Sequence, residues 1–212
     1  MSLGEFAMKT RDRIKSTSVS LFNEKGVTNV STVQISEVMG ISPGNLYYYF
    51  TNKEHIIRSI WKEDMVPASD HIYLDTEVKA PVETLTSMME QLMKYAMDYK
   101  FFYAEQFTLF NNDPLLQQMY RKRWDMLIEH LTGMFIVWQE KGFMKPSSRE
   151  WKKELAEYFL ITGPANLRSN LFLYPEYTSE EALRKALNSV LLVVSGDFVE
   201  EVCVEMLAML KG

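Results

Sequence analysis

Apolar positions recur along this chain at three- and four-residue steps. Strict alternation over a strand's length is hard to find, so almost every segment reads as helix. Ile14, Ser18, Leu21 and Phe22 share one face of a first helix from about Lys9 to Lys25, and Gly26 stands where a C-cap is needed. A second helix opens at Ser31. Ser31 and Gln34 have the S-x-x-Q spacing of a capping box, in which each side chain satisfies the other residue's backbone N–H. It closes at Gly40. After the turn Gly40-Ile41-Ser42, a third helix starts with Ser42 as N-cap and Pro43 at its first position, where a missing N–H is harmless. It runs to about Phe50, Thr51-Asn52 interrupt it, and a fourth helix spans Lys53 to about Met65. Pro67 to Pro81 reads as a linker or irregular loop. Further helices are expected at roughly 82–99, 101–111, 114–141, 148–173 and 179–210.

A helix, a tight turn with glycine and a short second helix make a helix-turn-helix, whose second helix enters the major groove of DNA. Val33 or Ile35, with Val38, Ile41, Leu46 and Phe50, can form the buried seam between the two helices. The outer face of the third helix then carries Pro43, Gly44, Asn45, Tyr47, Tyr48 and Tyr49. Gly44 permits close approach to the groove, and Asn45 can pair bidentately with an adenine edge. Tyrosine hydroxyls suit phosphates, and their rings suit thymine methyls. Three consecutive tyrosines cannot all face one way on a helix, so at least one points outward. Lys53, at the start of the fourth helix, adds a cation to the N–H groups of a helix N-terminus, which suits a phosphate. Ser31 and Thr32, at the start of the second helix, complete the candidate DNA surface.

Thr10 to Trp61 resembles the DNA-binding domain of the TetR family of bacterial transcriptional regulators. The residues that carry the likeness are Arg13-Ile14, Leu21-Phe22, Lys25-Gly26, Ile35, Gly40-Ile41-Ser42, Gly44 to Phe50 and Asn52-Lys53-Glu54. The resemblance implies an all-helical homodimer with a larger, divergent C-terminal ligand-binding domain. It implies that Ser31, Ser42, Tyr48 and Lys53 touch phosphates and that Gly44, Asn45 and Tyr47 lie against bases. Repression released by ligand is the family's habit. The chain departs from the family pattern at Val33, near which a basic residue is frequent. Its recognition helix, 42–50, also holds no Lys or Arg. An operator read through A·T-rich contacts and DNA shape is therefore expected.

The fold class is thus all-α: an N-terminal three-helix helix-turn-helix DNA-binding domain, 8–54, and a larger helical ligand-binding and dimerisation domain, 55–212. Residues 1–7 (MSLGEFA) read as an added leader.

Charge changes the picture only slightly. A net charge of −5 is ill suited to DNA. Residues 1–60 nonetheless hold 7 Lys+Arg against 5 Asp+Glu, a net of +2, with Lys9, Arg11, Arg13 and Lys15 crowding the first helix. Non-specific affinity should be modest and strongly salt-dependent. No stretch approaches the roughly 20 uncharged apolar residues of a membrane helix, and no secretory signal is visible. The single cysteine, Cys203, excludes an intramolecular disulfide and a cysteine-rich metal site, which favours a reducing cytoplasm. His55, His71 and His130 are scattered, and Asp70-His71 with Asp75 reads as a solvated loop before a metal site. With no Gly-rich phosphate loop and no G-x-S-x-G, an enzyme is not expected, nor a cofactor, nor a metal.

Residues 82–141 are rich in Met and aromatics, which give an adaptable apolar wall. A small apolar or aromatic effector lined by Met89, Met93, Phe107, Phe110, Trp124, Phe135 and Trp138 is expected there. Two later helices carry apolar stripes, Tyr158, Phe159 and Thr162 on one, Leu187, Leu191, Val194 and Phe198 on the other. Paired across a two-fold axis, they would form a four-helix dimer interface.

Overall fold

The computed structural model describes residues 3–74, 79–174 and 176–209. Twelve helices follow one another among them: α1 (Leu3–Lys25), α2 (Thr32–Met39), α3 (Pro43–Tyr49), α4 (Lys53–Ile60), α5 (Val66–Tyr73), α6 (Pro81–Asp98), α7 (Lys100–Ala104), α8 (Gln106–Asn112), α9 (Pro114–Glu140), α10 (Arg149–Leu173), α11 (Ser179–Ser195) and α12 (Glu200–Met209). No strand interrupts the helices in the described residues, so the chain is all-α. No described helix is long and apolar enough to cross a membrane.

The helix signals of the N-terminal third act as expected. Ser31 Oγ accepts the Gln34 N–H while Gln34 Oε1 accepts the Ser31 N–H, closing the capping box. Gly40 ends α2 at φ 66°, a left-handed conformation in which a Cβ would be strained. Ser42 Oγ caps α3 by accepting the Asn45 N–H, with Pro43 at the first turn.

Three expectations are corrected. Pro67 does not begin a loop, because α4 continues through a π-helical turn, Trp61–Met65, into α5. In that turn the Val66 N–H reaches back to Trp61 O, which widens the ladder just before the proline ring, where a regular helix would clash. The segment expected as one helix at 101–111 is two, parted at Glu105. The helix expected at 179–210 breaks after Ser195, where Met144 and Phe198 form an antiparallel bridge and the Lys145 N–H donates to Asp197 O. In addition, α1 begins at Leu3, before the expected Lys9.

The chain packs as two compact units, residues 1–68 with 98–118, and residues 69–97 with 119–212. The boundary expected at 54/55 falls inside the first unit, and a segment from the middle of the chain joins the helix-turn-helix. The interior of the first unit holds Ile14, Phe22, Ile35, Leu46, Phe50, Ile56 and Ile60, all essentially without exposure. Phe22 meets Phe101 at 5.4 Å, and Trp61 stacks on Phe102 at 5.0 Å. In the second unit, Trp138 stands against Phe135 (5.8 Å) and Phe198 (5.6 Å), and Phe135 against Phe159 (6.5 Å).

An ion-pair network ties α1 to the π turn. Arg11 pairs with Glu63, and the buried Lys15 ammonium lies 3.1 Å from Glu63 and 2.8 Å from Asp64. The Arg11 hydrogen bond, assisted by Lys15, holds the Glu63 carboxyl at about 2, below its ordinary 4.5. A depressed folded pKa stabilises above the ordinary value, and that contribution is lost as pH falls towards the folded one. Melting temperatures measured against pH are therefore expected to fall between about 4.5 and about 2. Glu63→Gln should melt lower than the wild type at pH 7 and converge on it at the acid end of that window.

Candidate DNA-binding site

α3 is only seven residues long, and its orientation comes from Leu46 and the following Phe50, both fully buried. One helical step round from Leu46 brings Tyr47 outward, 47% exposed, and the next places Tyr48 on the opposite side, 81% exposed. Tyr49 is half-buried and meets Tyr48 edge-on at 5.0 Å. Pro43, Gly44 and Asn45 are exposed on the first turn, and Ser42 with them. The outer face of α3 is thus the surface expected from its sequence, with Tyr49 turned partly inward.

The inner seam differs on α2. Ile35, Ser36 and Met39 take the inward face, while Val33 and Val38 fall to either side of it, 44% and 62% exposed. Ile41 is half-buried. Val33 and Val38 consequently join the outer surface of the motif.

A groove of about 380 Å³ opens between the α1–α2 turn and the starts of α2 and α4. Thr28, Asn29, Val30, Ser31, Thr32, Gln34, Tyr47, Thr51, Asn52 and Lys53 line it, so four of the expected DNA contacts share one wall system. Thr32 Oγ1 and the Tyr47 hydroxyl are 2.9 Å apart, a bond from α2 to α3 that fixes the tyrosine ring. Lys53 is not a free cation: its Nζ donates to Val27 O at 2.6 Å and Val30 O at 2.9 Å. Those bonds anchor the α1–α2 turn to the start of α4, where Asn52 Oδ1 accepts the His55 N–H. A phosphate meeting Lys53 would meet a pre-positioned ammonium with a third N–H to offer. Thr28, Asn29, Thr51 and Asn52 escaped the sequence reading. Their signal is the polar run at each helix entrance.

The residues of the expected effector lining are divided between the two units. Phe107, 68% exposed, and the half-buried Phe110 belong to the first unit, while Trp124, Phe135 and Trp138 belong to the second. Phe135 and Trp138 have no exposure, and the Trp138 indole N–H donates to Lys79 O at 2.9 Å, so both are packed core. The side chains of Met89, Met93 and Leu187 lie outside the described residues, as does Asp75. Of the expected interface residues, Phe159, Leu191, Val194 and Phe198 are buried within their own unit, Thr162 is half-buried, and Tyr158 is 57% exposed. Asp70 forms an ion pair with Arg123 at 2.5 Å.

A capped seven-residue helix presented on a glycine turn, with neutral hydrogen-bonding groups outward, defines a helix-turn-helix regulator. The family model of bacterial regulatory proteins of the tetR family matches residues 14–60, and that of a bacterial transcriptional repressor matches 67–195. The chain belongs to the TetR family of transcriptional regulators. It is 24% identical over 157 residues to a helix-turn-helix-type transcriptional regulator of Staphylococcus aureus (strain MRSA252), covering 58% of this chain and 85% of that one. Other regulators of that species match over 95 residues, 51% of their own length. A TetR-family regulator from Marinobacter aquaeolei VT8 superposes with a TM-score of 0.80 at 26% identity, over 95% of this chain and 97% of that one. A transcriptional regulator from Saccharomonospora viridis, solved in complex with choline, gives 0.73 at 19% identity, over 91% and 99%.

Asn45 is exposed and is expected to read a base edge, so Asn45→Ala should leave the melting temperature unchanged. It should weaken operator binding by about 1–3 kcal/mol per half-site, read by fluorescence anisotropy, and should relax preference at one base pair in a binding-site selection.

Proposed function

We propose that this regulator is a cytoplasmic repressor that binds a pseudo-palindromic operator as a homodimer and releases it when a small aromatic or apolar effector binds the second unit. The observation that carries the DNA reading is the outward set Ser42, Pro43, Gly44, Asn45, Tyr47 and Tyr48 on a helix fixed from within by Leu46 and Phe50. Without a cation on α3, this surface favours A·T-rich sequence and groove shape over guanine readout.

Dimerisation is supported by what the second unit leaves exposed. α10 and α11 pack against each other, with Val190 beside Gly163 and the Asn170 amide donating to Ala182 O at 3.0 Å. Apolar side chains remain outside: Tyr158 (57%), Ile161 (44%) and Leu192 (57%). Surface of this kind on a helix pair suits a second copy of the chain.

For the effector, the support lies around Trp124, which stacks on Tyr120 at 5.7 Å. Its neighbour Arg123 is buried, donates to Ser69 Oγ at 2.9 Å, and has an Nε N–H with no acceptor in the described residues. A buried N–H without an acceptor is costly, and an aromatic ligand carrying one acceptor oxygen would satisfy it. Choline in the Saccharomonospora viridis protein supports a small organic ligand for this fold.

The deciding experiment is a gel shift and footprint on the DNA upstream of the chain's own coding sequence. Two protected half-sites about one helical turn apart are expected; no retardation at low salt would overturn the reading. Ile161→Glu and Leu192→Glu, each alone, should halve the mass seen by light scattering and weaken operator binding. In a thermal-shift screen of phenols, aromatic acids and choline, compounds that raise the wild-type melting temperature should lose that effect with Trp124→Ala.

A further inference from the structure

Glu105 stands where the helix expected at 101–111 divides into α7 and α8, and it reaches across the first unit to the α1–α2 turn. One carboxylate oxygen accepts the Val27 N–H at 2.5 Å. The other accepts the Thr28 N–H at 3.2 Å and the Thr28 hydroxyl at 2.8 Å. The carbonyls of the same turn are held by Lys53 Nζ, through Val27 O and Val30 O. Residues 27–30 are thus fixed by an anion on their N–H groups and a cation on their C=O groups. Two of them, Val27 and Val30, are buried, while Thr28 and Asn29 face the groove with Ser31, Thr32, Tyr47 and Lys53.

Gly26 makes room for this. Its φ of +80° suits a helix C-cap, and a Cβ there would also lie 2.8 Å from Glu105 Oε1. Asn23, one turn earlier on α1, fastens the same two segments: its amide donates to Asp98 O at 2.8 Å and its carbonyl accepts the Phe101 N–H at 3.0 Å.

We propose that Glu105 is a positioning residue for operator binding: its carboxylate holds the 27–30 turn, and through it Lys53 and the start of α2, in the arrangement that meets the DNA backbone. This rests on the DNA surface described above. Glu105 itself contacts no DNA in this reading. Simple electrostatics and positioning then make opposite forecasts. Removing a negative charge near a DNA face tightens binding by charge alone. Removing an acceptor of three hydrogen bonds loosens the turn and weakens binding.

The test uses the full chain and an operator recovered by selection with the wild type. Glu105→Gln keeps the shape but sets an NH₂ group against backbone donors. Affinity is measured by anisotropy, referred to the active fraction titrated at saturating DNA, so that partial unfolding does not imitate weak binding. Glu24→Gln, an exposed acid on α1, serves as the charge control. The expected result is binding about tenfold weaker for Glu105→Gln, with a salt dependence shallower by about one ion and faster hydrogen exchange at the Val27 and Thr28 amides. Glu24→Gln should bind as tightly as the wild type or slightly better. Equal or tighter binding by Glu105→Gln, with wild-type exchange at those amides, overturns the proposal while leaving DNA binding intact. Failure of the wild type to select any DNA would instead overturn the DNA surface on which it rests.

Discussion

The constraint on which the rest depends is the shortness of α3. Seven residues cannot hold a helix in water, because the cost of the first turn is recovered only over roughly 12–15 residues. The helix therefore exists because Ser42 and Pro43 start it and because Leu46 and Phe50 enter an interior shared with Ile14, Ile35, Ile56 and Ile60. Two buried side chains near one end fix the axis and rotation of the whole element. The exposed residues opposite them, Gly44, Asn45 and Tyr48, are then free to be chosen for contact with another molecule.

Cations in this unit follow a different logic. Lys15 is buried against Asp64 and Glu63, Arg11 pairs with Glu63 and lies over the Phe50 ring at 5.0 Å, and Arg58 pairs with Asp113 at 2.6 Å. Lys53 is bound to two carbonyls. Positive charge that composition alone would assign to phosphate attraction is thus in part engaged in holding helices to one another. A DNA face built mainly from neutral groups gains little from long-range attraction, and its affinity depends on accurate placement of hydroxyls, an amide and backbone N–H groups. That dependence makes the supports of the motif, including residues 98–118, as consequential as its outer face.

Local signals were legible in the sequence because their physics is local. The capping box of Ser31 and Gln34, the left-handed Gly40, and Ser42 with Pro43 each act within four residues, and each stands where its spacing placed it. The outer face of α3 was legible for the same reason. What escaped was set by partners far along the chain. Glu105 breaks a helix that its own neighbourhood favours, because its carboxylate is engaged some eighty residues away. Pro67 looked like a boundary, and the π turn ahead of it removed the clash on which that expectation relied. Val38 was assigned inward by hydrophobicity, and Val33 stood as the alternative to Ile35, whereas an eight-residue helix has one narrow buried face, filled by Ile35, Ser36 and Met39.

The apolar stripes of the second unit show what periodicity alone leaves undecided about an interface. A stripe records which side of a helix avoids water, without recording whether the cover comes from the same chain or another. Where apolar residues exceed the width of one contact, the deeper ones are taken by the nearest neighbour in the chain. Phe159, Leu191, Val194 and Phe198 went that way, together with Phe135 and Trp138 of α9. Tyr158, Ile161 and Leu192 lie at the flanks of those stripes, where the chain's own helices leave them exposed. A surface for a second copy is therefore better sought in the residues left over once the intramolecular core is complete than in the strongest part of the pattern. By the same reasoning, an effector is better sought near unsatisfied polar groups such as Arg123 Nε than among the most apolar rings.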